Sequence, residues 1–167
     1  IMIFMFLAAT NFSLHYYFIS KGERKYFKDQ EFKVYLTLTL ISSLIFLIDS
    51  NTLIDFQSVK DSLFTSISLI STTGFTTANF ESWPSTSKTL VFILLFIGGS
   101  AGSTTGGMKI IRSILVFKYL VYEVRKLLHP QGVFSIKIGQ KTIDDNIVRA
   151  TLGFYLFYIF IFIVTSL

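Results

Sequence analysis

The sequence predicts an all-α integral membrane protein. Composition is the first observation: 51% of residues are hydrophobic and 17% aromatic, against 15% charged, far from a soluble globular average. Runs with few or no charges then recur at lengths near those needed to cross ~30 Å of hydrocarbon. The charges between the runs are segregated, basic in some loops and acidic in another. The 19 Phe and 8 Tyr suit lipid-facing helices and interfacial belts. The absence of cysteine excludes a disulfide framework and a thiolate metal site. Ile1 opens inside the apolar run IMIFMFLAAT with no basic stretch before it, which predicts a piece of a longer chain rather than a signal peptide.

Taken in order, residues 1–20 predict a span and residues 21–33 a linker. The run VYLTLTLISSLIFLI at 34–48 is a short span that needs Phe32 and a snorkelling Lys33 to reach across. In SVKDSLFTSISLIS, at 58–71, Leu63, Phe64, Ile67, Leu69 and Ile70 fall at mixed helical spacing. That segment is too short to cross and predicts a helix that dips in and stops. A loop at 72–77, a second and broken span at 88–128, a linker at 129–145 and a final span at 146–167 complete the chain.

The loops set the orientation. Lys21, Arg24, Lys25, Lys28 and Lys33 lie in one; Lys109, Arg112, Lys118, Arg125, Lys126, Lys137, Lys141 and Arg149 lie in 109–149. Residues 49–88 hold Lys60 and Lys88 against Asp49, Asp55, Asp61 and Glu81. The positive-inside rule makes the first two cytoplasmic and the third external. The net charge of +5 is therefore a topology signal, and no nucleic-acid partner is expected.

The stretch SLISTTGFTTANF at 68–80 crowds polar residues around Gly74 within an oily chain. Non-helical backbone at membrane depth is tolerated only inside protein or beside water, so 72–77 is expected to line a cavity. A helix ending there directs the negative end of its dipole at that cavity, which favours a cation. Gly74 opens backbone angles closed to other residues, letting carbonyls turn to one axis as in potassium filters. A simple turn whose side chains satisfy its own backbone is the competing reading.

Within 88–128, GGSAGSTTGG comprises Gly98, Gly99, Ser100, Ala101, Gly102, Ser103, Thr104, Thr105, Gly106 and Gly107. Each interior glycine costs about 1 kcal/mol of helix propensity relative to Ala, so the span is expected to break here. Entering from Lys88, the break lies ~15 Å down at 1.5 Å per residue. Small side chains predict few packing contacts and alternative conformations of similar energy. Close helix packing through Gly98, Gly102 and Gly106 is the rival; a phosphate loop with Lys109 is a weaker one, lacking the Gly-Lys-Ser/Thr ending.

STTGFTT followed by GGSAGSTTGGMKIIR resembles the Trk/Ktr/HKT superfamily of potassium transporters, specifically the membrane subunit of bacterial Trk systems. The resemblance implies a pore of four repeats of span, pore helix, filter and span. Residues 1–20 would end one repeat, 34–128 would form a complete one and 146–167 would begin the next, as the second, third and fourth. It implies a potassium filter made by the backbone carbonyls of Thr72, Thr73, Gly74 and Phe75, with potassium as substrate and no covalently bound cofactor. It also implies a gating loop at Gly98 to Gly107, a cytoplasmic NAD-binding regulatory subunit, a homodimer of full-length pore subunits and the bacterial cytoplasmic membrane. Phe75 stands where tetrameric potassium channels place an aromatic-then-glycine ending, a departure ordinary in this family.

Other candidates are read more plainly. Lys109 and Arg112 are expected to hold the inner helix end at lipid phosphates or to meet the regulatory subunit. Asp49, Asp55 and Asp61 read as solvated loop charges, with a cation-concentrating role as the alternative. His15, beside Tyr16 and Tyr17, reads as an interfacial anchor. No nucleophile, base and orienter come together in the sequence, so no enzyme is expected. A small tetrameric cation channel, a sodium-permeable transporter of the same superfamily and a poreless membrane subunit stay open.

Overall fold

A computed structural model describes residues 1–22, 25–49, 55–79, 83–129, 131–132, 134–139 and 141–166. Arg24, Glu81 and Leu167, which enter the expected segments, lie outside the described residues. The elements run α1 Met2–Ala8, α2 Phe12–Lys21, α3 Gln30–Asp49, α4 Phe56–Ile70, α5 Ser85–Ile97, α6 Ile110–Leu128, β1 Lys137–Ile138, β2 Lys141–Thr142 and α7 Asp145–Ser166. They form two compact units, Ile1–Ile110 and Ile111–Leu167. Apart from the two-residue strand pair the chain is all-α, and its apolar helices are those of a membrane protein.

In the first unit, α3 is 20 residues long, ~30 Å at 1.5 Å per residue, enough to span hydrocarbon. Asp29 starts it by accepting from the Phe32 amide at 2.7 Å. The shorter α4 packs along α3 and touches α1 and α5. Asp55 caps it, accepting from the Phe56 amide at 2.7 Å. Ser62, Thr65, Ser66 and Ser68 of α4 are buried; such small polar residues let helix backbones approach closely in a membrane. Met5, Phe64 and Ile67 form an apolar cluster with Met2 and Phe6 against it. Phe6 also stacks on buried Tyr35 at 4.9 Å between ring centroids.

Residues 1–20 differ from the single span expected. They form α1 and α2, bent by 99° at a break of Ala9, Thr10 and Asn11. Asn11 is the cause on the α2 side: its side chain accepts from the Ser13 amide at 2.9 Å, an N-cap that starts a new helix. On the α1 side, Thr10 Oγ1 donates to the Phe6 carbonyl at 3.0 Å. His15 braces the corner from α2, its Nε2 donating to the Leu7 carbonyl at 2.9 Å. Its Nδ1 accepts from the Tyr26 hydroxyl at 2.7 Å, and burial raises the Tyr26 phenol above its ordinary value. His15 is thus a tether within the fold rather than a lone interfacial anchor.

The acidic loop residues are likewise structural. Asp49, at the end of α3, accepts through Oδ2 from both the Ser87 amide at 3.0 Å and the Ser87 hydroxyl at 2.6 Å. It therefore caps the first turn of α5 from another helix. Asp61 accepts from Thr77 Oγ1 at 2.7 Å and from Gln57. With Asp55 capping α4, all three carboxylates make specific bonds, those of Asp55 and Asp61 at exposed positions.

In the second unit, Leu115, Ile136 and Val148 form the core, with Tyr119, Tyr122 and Leu152 packed against it. The strand pair joins Lys137 to Thr142 and Ile138 to Lys141 antiparallel, closing the segment expected as a plain linker. The helix α7 is long and apolar enough to cross a membrane.

Candidate functional site

The segment expected to form a filter leaves α4 through a chain of bonds to that helix's last carbonyls. The Thr72 amide donates to Leu69 O at 3.0 Å, the Thr73 amide to Ser68 O at 3.0 Å and the Gly74 amide, more weakly, to Ser68 O at 3.5 Å. These satisfy carbonyls that a helix end leaves unpaired. They also fix direction. No peptide is cis, and in a trans peptide the N–H and C=O point to opposite sides. With the Thr73 and Gly74 amides aimed back at α4, the carbonyls of Thr72 and Thr73 are aimed away from it.

The backbone changes hand to achieve this. Thr72 has φ of 52° and Gly74 φ of 76°, flanking Thr73. Left-handed φ is routine for glycine but is a true outlier for a β-branched residue, and such strain persists only where the surroundings impose it. At Thr72 the surroundings are named: besides the amide bond to Leu69, Thr72 Oγ1 accepts from the Gly106 amide at 2.8 Å. The Phe75 carbonyl accepts from Ser68 Oγ at 2.6 Å. The Phe75 side chain is exposed.

The glycine-rich segment is an Ω-shaped loop whose ends cross. A Cβ at Gly98 would stand 2.4 Å from Gly106 O, and one at Gly107 2.9 Å from Gly98 Cα; only glycine permits backbones to pass so closely. The neck is sealed by the Met108 amide on Phe96 O at 3.2 Å and the Ile110 amide on Gly99 O at 3.0 Å. Met108 and Ile110 are fully buried beneath it. Backbone bonds thus hold a loop whose small side chains offer little packing.

The loop is seated on the α1–α2 corner. The Ser100 amide donates to Ala9 O at 2.9 Å, the Thr104 amide to Ala8 O at 3.2 Å, and the Phe12 amide returns a bond to Gly102 O at 3.1 Å. The break between α1 and α2 supplies unpaired backbone groups for this purpose. From α3, Glu31 Oε1 accepts from the Ala101 amide at 2.6 Å, and Glu31 is 6% exposed.

Lys109 has φ of 65° and a half-buried side chain folded back into the loop. Its Nζ donates to the Thr105 carbonyl, to Thr105 Oγ1 at 3.1 Å, and to the carbonyl and hydroxyl of Ser103 at 3.4 Å each. That places the ammonium among loop oxygens rather than extended toward lipid phosphates. Arg112 belongs to the second unit, where its guanidinium lies 4.2 Å from the centroid of the Phe154 ring, a cation–π contact.

Thr72 and Gly106 are therefore brought together, as are Lys109, Ser103 and Thr105. Sequence reasoning missed Glu31, Asn11 and the carbonyls of Ala8 and Ala9. An acid in the first turn of an apolar helix is a signal for Glu31, since that position favours negative charge. The carbonyls have no sequence signal, being backbone atoms.

The family described as TrkH, cation transport protein, matches residues 1–167. The chain is 35% identical over 172 residues to the Trk system potassium uptake protein TrkH of Escherichia coli strain K12, covering 100% of this chain and 36% of that protein. It is 38% identical over 168 residues to the Trk system potassium uptake protein TrkH of Halomonas elongata, covering 95% and 34%. The crystal structure of the potassium transporter TrkH from Vibrio parahaemolyticus matches with a TM-score of 0.89 at 34% identity, over 98% of this chain and 36% of that one. The chain thus spans about a third of the length of these relatives. With its whole length matched, this chain belongs to the TrkH cation transport protein family.

Proposed function

We propose that this chain is part of a transporter that takes potassium into the cell across the bacterial cytoplasmic membrane. In this reading it contributes one quarter of a carbonyl-lined filter and an intramembrane loop that gates it. The observation that carries the filter is the return of the Thr73 and Gly74 amides to Ser68 O, which turns the Thr72 and Thr73 carbonyls outward as ion ligands. The Gly74 and Phe75 carbonyls complete the filter set in this reading, the Phe75 carbonyl being also bonded to Ser68 Oγ.

Residues 98–107 are the gate in this reading, on the cytoplasmic side of the filter given the basic segments at 21–33 and 109–149. The bond from Gly106 to Thr72 supports it by joining loop and filter. The relatives are named as belonging to a Trk system, which supports a further component; a cytoplasmic NAD-binding subunit and a homodimer of the full-length chain complete the reading.

Rubidium and sodium fluxes into liposomes bearing the full-length transporter test it. Deleting Ser100 to Thr105 is expected to raise basal flux and weaken regulation. Well-assembled deletion protein with unchanged, still regulated flux would remove the gate, and equal rubidium and sodium flux in the unaltered protein would remove potassium selectivity.

A further inference from the structure

Glu31 is the one acidic side chain among the described residues that is buried. A carboxyl group is rarely placed so unless it is engaged, and the Ala101 amide engages it at 2.6 Å across 70 residues of sequence. Ala101 and Gly102 form the turn at the far end of the loop from its Gly98–Gly107 neck. Bonds at this tip have the most leverage over whether the loop lies in its seat. The remaining bonds at the seat have the carbonyls of Ala8, Ala9 and Gly102 as acceptors, with the exposed Thr104 hydroxyl adding a weaker bond to Ala8 O at 3.3 Å. Glu31 is different, because it supplies a buried, charged side-chain acceptor that the sequence had to specify.

We infer that Glu31 is a positioning residue for the loop: a latch on α3 that holds the Ala101–Gly102 tip against the α1–α2 corner. It acts through the loop backbone and does not touch the ion. The position at the start of α3, where the helix dipole favours negative charge, makes an acid the suitable acceptor there. The inference deepens the gate reading and rests on it for one consequence only, that unlatching changes flux.

The test uses the full-length transporter, with any other cysteines replaced and Ser103→Cys as the reporter. The rate at which a small methanethiosulfonate reagent modifies this site from the cytoplasmic side is measured with rubidium flux. Glu31→Ala is expected to speed modification about tenfold, the scale of losing a bond to a carboxylate, and to raise basal flux. Glu31→Gln retains an oxygen acceptor and is expected to stay near the unaltered rate. Ala101→Pro removes the donor while leaving Glu31 intact, and is expected to reproduce Glu31→Ala if that variant fails to assemble. Unchanged modification rates in the assembled Ala or Pro variant overturn the latch. Faster modification without a change in flux upholds the latch and overturns the gate reading instead.

Discussion

The amide of Gly106 donates to Thr72 Oγ1 at 2.8 Å, so the glycine-rich loop holds a residue whose backbone is left-handed. The loop and the 72–75 segment proposed as a filter are hydrogen-bonded to each other, and displacement of the loop removes a restraint on Thr72.

Thr72→Val keeps the branched shape but deletes the acceptor. Both partners are exposed in this chain, so the loss is expected at about 0.5–1.5 kcal/mol, a roughly two- to tenfold shift between loop states. Basal rubidium flux of the full-length transporter should rise accordingly, while Thr72→Ser, which keeps Oγ, should not raise it. Equal flux in Thr72→Val and the unaltered protein contradicts the coupling.

At Gly74 the constraint is conformational. A Cβ there meets no heavy atom within 4 Å, but φ is 76°. A side chain in the left-handed region costs about 1–2 kcal/mol. Gly74→Ser is thus expected to assemble normally and to lose potassium over sodium discrimination by roughly 5- to 30-fold, the change in filter population that this cost permits. Competition of sodium against rubidium uptake measures it, and unchanged discrimination takes Gly74 out of the filter.

Lys109 combines two effects that substitution can separate. Lys109→Met removes the ammonium from the Ser103 and Thr105 oxygens, and bonds to a charged group are worth about 1.5–3 kcal/mol. Lys109→Gly removes the ammonium and also relieves the positive φ. Amide exchange over residues 100–107 is expected to quicken in both, and more in the Met variant. If neither variant changes exchange, the ammonium does not hold the loop.

Asp49 tests the role of a loop acid as a helix cap. Asp49→Ala should destabilise the detergent-solubilised transporter by about 0.5–2 kcal/mol, the cost of a lost helix cap, seen as a lower thermal midpoint with flux per assembled molecule retained. A surface charge making no bond predicts no change in midpoint, and that result would return Asp49 to the solvated class.

Much of this was readable from residue types. Apolar runs pointed to the regions of α3 and α7, and the glycines at 98–107 to a stretch poor in helix propensity; no helix is described between Ile97 and Ile110. The corner at 9–11 was hidden because nearly uninterrupted apolar sequence on both sides of Asn11 has the right length for a single span. Asn11 is a helix-start residue, yet length and hydropathy outweigh one polar position. Glu31 was hidden for another reason: its partner is a backbone amide 70 residues away, and no pairing of side-chain types announces it. The Phe75 carbonyl enters the expected filter through the family resemblance, and the bond it accepts from Ser68 Oγ has no signal in residue types.

The seating of the loop on the α1–α2 corner also imposes an order in time. Thr104 meets Ala8 across 96 residues, and contacts between such distant positions form late because the intervening chain must first be brought round. Synthesis proceeds from the N-terminus, so Ala8, Ala9 and Glu31 emerge long before Ser100. The corner is a template awaiting its strap, and a nascent chain stopped before residue 98 would leave those carbonyls bare. Faults introduced at Asn11 should consequently register in assembly yield, as loops that arrive and find nothing to fasten to.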